Sequence, residues 1–290
     1  MEKEAGGISN IPGVDGPTSV FALGKRNLFI EGVPGTGKST LLNRLVRQWP
    51  ECRPYREGDL SPVELAWCSY LTKDEWKSIL CRYPDFEKEI RDKTSQEDDR
   101  YIVAYTRVLA EERSFYQEME QYEIYNGRVD FETFRHTIMK RYRRFFGEGC
   151  IFECSFFQNS IESLMLFYQL PEEKILAFYE EAYGILKEKG FGLIYLDSEE
   201  IKRNLLHVKR ERSDENGNEM WYPLMLNYLK ESPYGKAHGY EGIEDVVRHF
   251  ERRRRLELKI IREVVKEDCL VLHAKDKEEA LIAKCRSFAG

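Results

Sequence analysis

Short apolar runs recur along the chain and predict buried strands. The clearest cover residues 27–31, 150–153, 192–197 and 269–273, where Leu, Ile, Val and Phe follow one another with few polar interruptions. Apolar runs of about four to eight residues bounded by turn signals are typical of strands covered on both faces. These four segments are therefore predicted to form the core sheet.

Segments with helical periodicity separate these runs. Leu41, Leu42 and Leu45 fall on one face of a helix predicted after the first strand, and segments 171–189 and 239–266 also have helical patterns. Strands that alternate with helices favour an open parallel sheet with right-handed crossovers. The pattern thus predicts an α/β fold.

Residues 62–147 differ from the rest because they are rich in charged and aromatic side chains and contain helix-like spacing. One long helix is predicted over 97–122, where Tyr101 and Tyr105 have helical spacing, and another over 131–146. We expect these two helices to pack together, cover one side of the sheet and supply the wall of a substrate pocket.

The strongest chemical signal lies between the first strand and the first helix. It matches the pattern G-x-x-x-x-G-K-[ST] with Gly32, Val33, Pro34, Gly35, Thr36, Gly37, Lys38 and Ser39. The glycines let backbone N–H groups turn toward a phosphate at the positive end of a helix dipole. In this P-loop, Lys38 is expected to reach the β- and γ-phosphates of ATP, Ser39 to bind Mg²⁺, and Thr40 to complete the nucleotide contacts. A chance match in a chain of this length occurs on the order of once in a hundred.

Composition and charge limit which binding partners and which cellular compartment we expect for this protein. The net charge of −6 argues against a nucleic-acid coat, which needs excess Lys and Arg. The run 252–255 is four arginines, but a solvated or salt-bridged helix face is the preferred interpretation.

No apolar run reaches the roughly 18 residues of a membrane span, and residues 1–10 lack a signal-peptide core. Seven cysteines without a CxxC pair are typical of reduced thiols. We therefore expect a cytoplasmic protein without nucleic-acid or membrane partners.

Two acidic clusters follow apparent strands: Glu57-Gly58-Asp59 and Glu153-Cys154-Ser155. With the P-loop, they make the sequence resemble the deoxynucleoside kinase and thymidylate kinase branch of the nucleoside and nucleotide kinase superfamily. Glu57 lies 19 residues after Lys38 and is followed by Pro62-Val63 and Trp67, and a basic segment, Lys209-Arg210-Glu211-Arg212, follows the fourth apparent strand. The chain departs from the family at Cys154, where the family has Arg, and at Gly58-Asp59, which stand before the Pro-Val pair.

The resemblance implies roles for these residues. Glu57 would be the base that accepts the proton of a substrate hydroxyl, with Asp59 as the second candidate. Glu153 would hold Mg²⁺ together with Ser39. Arg210 and Arg212 would neutralise charge on the phosphoryl group from a mobile lid. The alternatives are a capping role for Glu57, a solvent-facing strand end for Glu153 and an ordinary charged helix for the two arginines.

The predicted organisation is a flexible leader over 1–24 and one P-loop kinase-like domain over 25–290. That domain carries a helical substrate-side insertion at 62–147 and an arginine-rich lid at 198–220. The expected function is an ATP- and Mg²⁺-dependent phosphotransferase acting on a small molecule, a nucleoside or nucleotide. An antibiotic-modifying phosphotransferase and a nucleotide-binding regulatory protein are the alternatives. The sequence does not decide whether the nucleotide is ATP or GTP, nor whether the protein is a monomer or a homodimer.

Overall fold

The chain is described by a computed structural model over residues 26–213, 219, 221–274, 276 and 278–289. The predicted leader, 1–24, and residues 214–218 of the predicted lid lie outside the described residues. The strands are β1 Asn27–Glu31, β2 Arg53–Tyr55, β3 Ser69–Thr72, β4 Thr94–Glu97, β5 Arg100–Val103, β6 Cys150–Glu153, β7 Phe191–Asp197 and β8 Cys269–His273. The helices are α1 Lys38–Gln48, α2 Lys73–Arg82, α3 Glu87–Asp92, α4 Arg113–Glu120, α5 Phe131–Arg144, α6 Gln158–Glu162, α7 Glu172–Lys187, α8 Ile201–Glu211, α9 Trp221–Glu231, α10 Pro233–His238, α11 Ile243–Ile260 and α12 Glu278–Ala289.

The central sheet is parallel and has the strand order β2-β6-β1-β7-β8. All four strands predicted from apolar runs are present in it, so the predicted α/β class with a parallel sheet is confirmed. Strand β1 lies at the centre, where Leu28 pairs with Ile151 on one side and with Gly192 on the other.

Alternation along β1 shows how the helices cover both faces of the sheet. Leu28 and Ile30 pack into an apolar cluster with residues of α1 and α12. Phe29 points to the opposite face and packs into a larger cluster with residues of α5 and α7. Because successive side chains of a strand point to opposite faces, a strand covered on both sides has apolar residues on both faces, as β1 does with Leu28, Phe29 and Ile30. All five residues of β1 are buried.

The helix predicted over 97–122 is wrong for most of its length. Residues 69–103 instead contribute an antiparallel sheet with the order β3-β5-β4, and only Arg113–Glu120 within the predicted span is α-helical. Asp98, with φ 54°, stands in the tight turn between β4 and β5. Strand β5 contains Ile102 and Val103, whose branched side chains favour a strand and are fully buried.

The segment 62–147 is therefore a mixed unit of antiparallel sheet and helices rather than a helical insertion. Its second predicted helix, over 131–146, is confirmed as α5, which begins after Asp130; the side chain of Asp130 accepts a hydrogen bond from the backbone N–H of Thr133. Of the helices in the described part of the chain, none is both long and apolar enough to cross a membrane.

Candidate functional site

The topology of the sheet opens a crevice at the carboxyl ends of β1 and β6. These two strands are neighbours, but the chain leaves β1 toward β2 at one edge and leaves β6 toward β7 on the other side of β1. Where the connections of neighbouring parallel strands diverge in this way, a crevice forms, and ligands of α/β proteins bind there. The two sequence motifs that follow β1 and β6 meet at this point.

The loop of residues 32–37 joins β1 to α1 and fits only glycine at two positions. Gly32 has φ +141°, and a Cβ atom there would lie 2.5 Å from the carbonyl oxygen of Leu196. Gly35 has φ +78°, and its Cβ would lie 2.8 Å from the carbonyl oxygen of Asn204 in α8. The glycines thus allow a close approach of the backbone as well as an unusual conformation.

Two side chains of the loop hold its shape. The buried Lys38 amine donates to the carbonyl oxygens of Gly32 at 2.9 Å and Val33 at 3.3 Å. Thr36 donates from Oγ1 to the carbonyl oxygen of Val33 at 2.9 Å. Lys38 is also the first residue of α1, so the helix begins at the crevice. The N–H groups of a first helical turn lack intrahelical partners and favour an anion.

The fold brings together Ser39 and Glu153, the two residues predicted to bind Mg²⁺. Ser39, in the first turn of α1, donates a hydrogen bond to the carboxylate of Glu153, the last residue of β6. Both side chains line a cavity of about 470 Å³. Across the described ranges, no group of three or more His, Cys, Asp and Glu side chains could hold a metal ion. Mg²⁺ commonly takes one or two protein oxygens and completes its shell with phosphates and water, which fits this pair.

Three other segments also contribute residues to this cavity. Its size is within the range of about 300–1,000 Å³ usual for small-molecule sites. The segments are the loop between β2 and β3, the turn after β5 and the end of α8. Its lining residues are Ser39, Leu42, Asn43, Arg56, Glu57, Gly58, Trp67, Thr106, Arg107, Glu153 and Arg212.

The two candidates for the base, Asp59 and Glu57, differ in how many of their carboxylate oxygens accept hydrogen bonds. Asp59 uses both carboxylate oxygens to hold its loop: Oδ2 accepts from the backbone N–H of Arg56 at 2.8 Å, and Oδ1 accepts from Arg107 at 2.6 Å. Glu57 is exposed and lines the cavity, and only its Oε1 is engaged among the described residues, by Gln158 at 2.8 Å. Of the two carboxylates, Glu57 is the one available to a ligand.

The two predicted lid arginines are also separated by the structure. Arg212 directly follows α8 and lines the cavity, with its guanidinium 6.0 Å from the ring centroid of Trp221. Arg210 is exposed, and its Nε donates to the carbonyl oxygen of Leu206 at 3.3 Å. Arg210 is not part of the cavity lining.

Cys154 brings no positive charge to the site. Burial raises the pKa of its thiol well above the usual range, although Lys38 nearby acts in the opposite direction. The thiol is therefore neutral. The cations at the cavity are Arg56, Arg107 and Arg212, of which the first two were not among the residues predicted from the sequence. Arg56 stands next to Glu57, a signal that could have been used, whereas Arg107 lies in the segment wrongly predicted as a long helix.

The aromatic residues near the acidic clusters divide between core and cavity. Phe156 and Phe157 are buried in the main apolar cluster, so their role is packing. Trp67 is 45% exposed, lines the cavity and has φ +61°. A left-handed conformation in a non-glycine residue costs on the order of 1–3 kcal/mol and is often found at ligand sites.

A network of buried charges lies behind the glycine-rich loop. Glu162 accepts from His249 and from Arg253, both at 2.8 Å, and Arg253 also donates to Glu257 at 2.7 Å. Burial alone would raise the pKa of Glu162, but the charges and hydrogen bonds of His249 and Arg253 outweigh it and lower the pKa to about 2. Glu31, the last residue of β1, is buried beside this network, and burial raises its pKa to about 7.

A scan of the sequence against protein-family models finds no matching family, and a search among curated proteins finds no match. What bears on function is therefore the arrangement of side chains at the cavity.

Proposed function

We propose that the protein is an ATP- and Mg²⁺-dependent phosphotransferase that acts on a hydroxyl-bearing small molecule, with a nucleoside or nucleotide as the expected acceptor. The observation that carries the proposal is that Ser39, Glu57 and Glu153, from three separate segments, line one cavity at the amino terminus of α1. Each of these side chains has a distinct part in phosphoryl transfer.

On the nucleotide side, the glycine-rich loop acts as a P-loop. Its N–H groups and the start of α1 bind the β-phosphate, and Lys38 exchanges its bonds to the carbonyl oxygens of Gly32 and Val33 for the β- and γ-phosphates. Ser39 and Glu153 would hold Mg²⁺, directly or through water, and the ion would supply positive charge that stabilises the transferring phosphoryl group.

On the acceptor side, Glu57 accepts the proton of the attacking hydroxyl. Arg56, Arg107 and Arg212 supply the positive charge that Cys154 lacks. Arg56 is held by Asn43, whose Oδ1 accepts from its guanidinium at 2.8 Å. Positioned cations stabilise a transferring phosphoryl group because they need no reorganisation at the moment of reaction.

One observation favours a second candidate, a regulatory protein that binds ATP as a ligand. The neutral, buried thiol of Cys154 stands where the kinase family that the sequence resembles has a phosphate-contacting arginine. If the three arginines at the cavity do not contact phosphate, transfer is slow and binding alone remains.

The test is ADP release with Mg²⁺ and ATP against a panel of nucleosides, nucleotides and hydroxylated antibiotics. We expect one acceptor class to stimulate release at least about a hundredfold over the acceptor-free rate, as positioned proton transfer to a base predicts. Lys38→Ala should abolish the stimulation. Lys88→Ala, which removes an exposed amine paired with Asp92, is the matched control and should keep it.

The outcomes separate the candidates. Loss of ATP binding in Lys38→Ala, with no acceptor-stimulated release by the unchanged protein across the panel, would favour the regulatory candidate. A protein that does not bind ATP at all, as measured by calorimetry with Mg²⁺, would contradict both.

A further inference from the structure

A second cavity lies along α11 and the helical turn that follows it, and four cations line this cavity. Arg252, Arg255, Lys259 and Arg262 follow one another at spacings of three, four and three residues, and all four line a cavity of about 620 Å³. Residues at these spacings share one face of a helix. The cavity has no lining residue in common with the cavity that contains Ser39 and Glu153.

The preferred sequence interpretation, a salt-bridged face, holds for only half of the arginine run. Arg253 is buried and paired with Glu162 and Glu257, and Arg254 forms a two-bond pair with Asp197 at 2.6 and 2.8 Å. Arg252 and Arg255 line the second cavity instead, and the Arg252 guanidinium also lies 4.4 Å from the ring centroid of Tyr234. The run therefore contributes both to ion pairs and to this cavity.

The positive charges of this cavity are only partly compensated. Lys259 is paired with Glu172, and Arg262 with Glu263. Arg255 has no ion pair or hydrogen bond within the described part of the chain. The Nη1 atom of Arg252 is buried, and among the described residues it has no hydrogen-bond partner. An unpaired polar atom in a buried position costs about 1–3 kcal/mol unless a ligand or water satisfies it.

Four apolar side chains, which we call the apolar floor, also line the cavity: Leu170, Ile175, Leu256 and Leu258. Glu172, at the amino terminus of α7, lines it as well. A volume of this size encloses a small organic molecule. Cations around an apolar floor match a ligand that has a phosphate group on an apolar or aromatic body.

We propose that this second cavity, which we call the basic cavity, binds a phosphorylated organic compound at a site separate from the phosphate-transfer cavity. The phosphate is held by Arg252 and Arg255, whose guanidinium groups can each donate two parallel hydrogen bonds. The organic body lies on Leu256 and Leu258. A cavity of about 620 Å³ on a chain of net charge −6 fits a small anion better than an extended nucleic acid.

The test uses 1-naphthyl phosphate as the probe and titration calorimetry on the full chain. Arg252→Gln/Arg255→Gln should weaken binding about tenfold or more, because each charged hydrogen bond that is lost weakens binding substantially. The control Lys236→Gln/Arg248→Gln also removes two positive charges, from exposed residues outside both cavities, and should bind as the unchanged protein does. Lys38→Ala should also bind normally, since it alters only the other site.

Several results would overturn the proposal. These are no binding of the probe, equal weakening in the control, or loss of binding in Lys38→Ala alone. Inorganic phosphate that binds as tightly as 1-naphthyl phosphate would exclude a role for the apolar floor. If thermal melting shows that the double variant is unfolded, the single exposed substitution Arg255→Glu takes its place with the same expected loss.

Discussion

Two regions of the molecule, one behind β1 and one beside the cavity lined by Ser39 and Glu153, differ in how far their ion pairs are exposed to water. Behind β1, Glu162, Arg253 and Glu257 are almost wholly buried and bond to one another. On the antiparallel side, the pair that ties the β2 loop to the turn after β5 is open to water, since the Asp59 and Arg107 side chains are 33% and 48% exposed.

The difference indicates which side of the cavity is fixed. Breaking a buried ion pair costs about 3–5 kcal/mol, because one charge is left without a partner. An exposed pair contributes about 0–1 kcal/mol. The region behind β1, where these buried pairs join α6 to α11, is therefore the rigid side, whereas the loop with Glu57 and Asp59, whose exposed pair contributes little, is the adjustable side.

The largest expected effect is on the adjustable side and concerns the base. Given the proposed function, Glu57→Gln should lower kcat by about 10²–10⁴, the usual contribution of a positioned base, with ATP affinity unchanged. Asp59→Asn tests the second candidate: it keeps one of the two acceptor oxygens that hold the loop, and we expect a much smaller loss of kcat. Steady-state kinetics and ATP binding measure both. A Glu57→Gln enzyme with near-normal kcat would exclude Glu57 as the base.

The next effect is on the stability of the rigid side. Glu162→Gln should lower the free energy of unfolding by about 3–5 kcal/mol at pH 7, since it leaves His249 and Arg253 without their carboxylate. Glu244→Gln, which breaks the exposed pair with Lys202, should change it by less than about 1 kcal/mol. Urea unfolding measures both values.

The pH dependence sharpens this second prediction. A carboxyl whose pKa is lowered by folding stabilises the protein above the unfolded-state value of 4.5, and this contribution is lost as the pH falls toward the folded-state value of about 2. The stability difference between the unchanged protein and Glu162→Gln should therefore shrink from pH 7 to pH 3. A constant difference would show that packing, rather than charge, is what the substitution removes.

The smallest expected effect separates the two regions most directly. Arg107→Gln should raise KM for the acceptor about tenfold and also lower kcat, while KM for ATP stays constant, because the lost cation both binds the acceptor and stabilises the transferring phosphoryl group. Its stability should change by less than about 1 kcal/mol. Arg128→Gln, which breaks another exposed pair in residues 62–147, is the control. A parallel rise in KM for ATP would contradict the division between the two sides.

The sequence predicted the phosphate side of the cavity better than the acceptor side. Ser39 and Glu153 follow adjacent parallel strands, so their meeting follows from the strand pattern once the order of the strands is known. Arg107 reaches the cavity through an antiparallel sheet whose residues, Tyr101 and Ile102 among them, also have helical spacing. Spacing alone does not distinguish a helix from a short strand followed by a turn.

The sequence by itself determined the four apolar strands, the glycine-rich loop and the start of α1 at Lys38, because burial on both faces and close backbone approach leave few residue types at those positions. Only the tertiary structure decided which of two neighbouring charged residues is used. It placed Glu57 rather than Asp59, and Arg212 rather than Arg210, at the cavity. It also divided the arginine run between ion pairs and the basic cavity. A long charged side chain can reach either an ion-pair partner or a cavity open to water. Which of the two it reaches depends on neighbours that are distant in the chain.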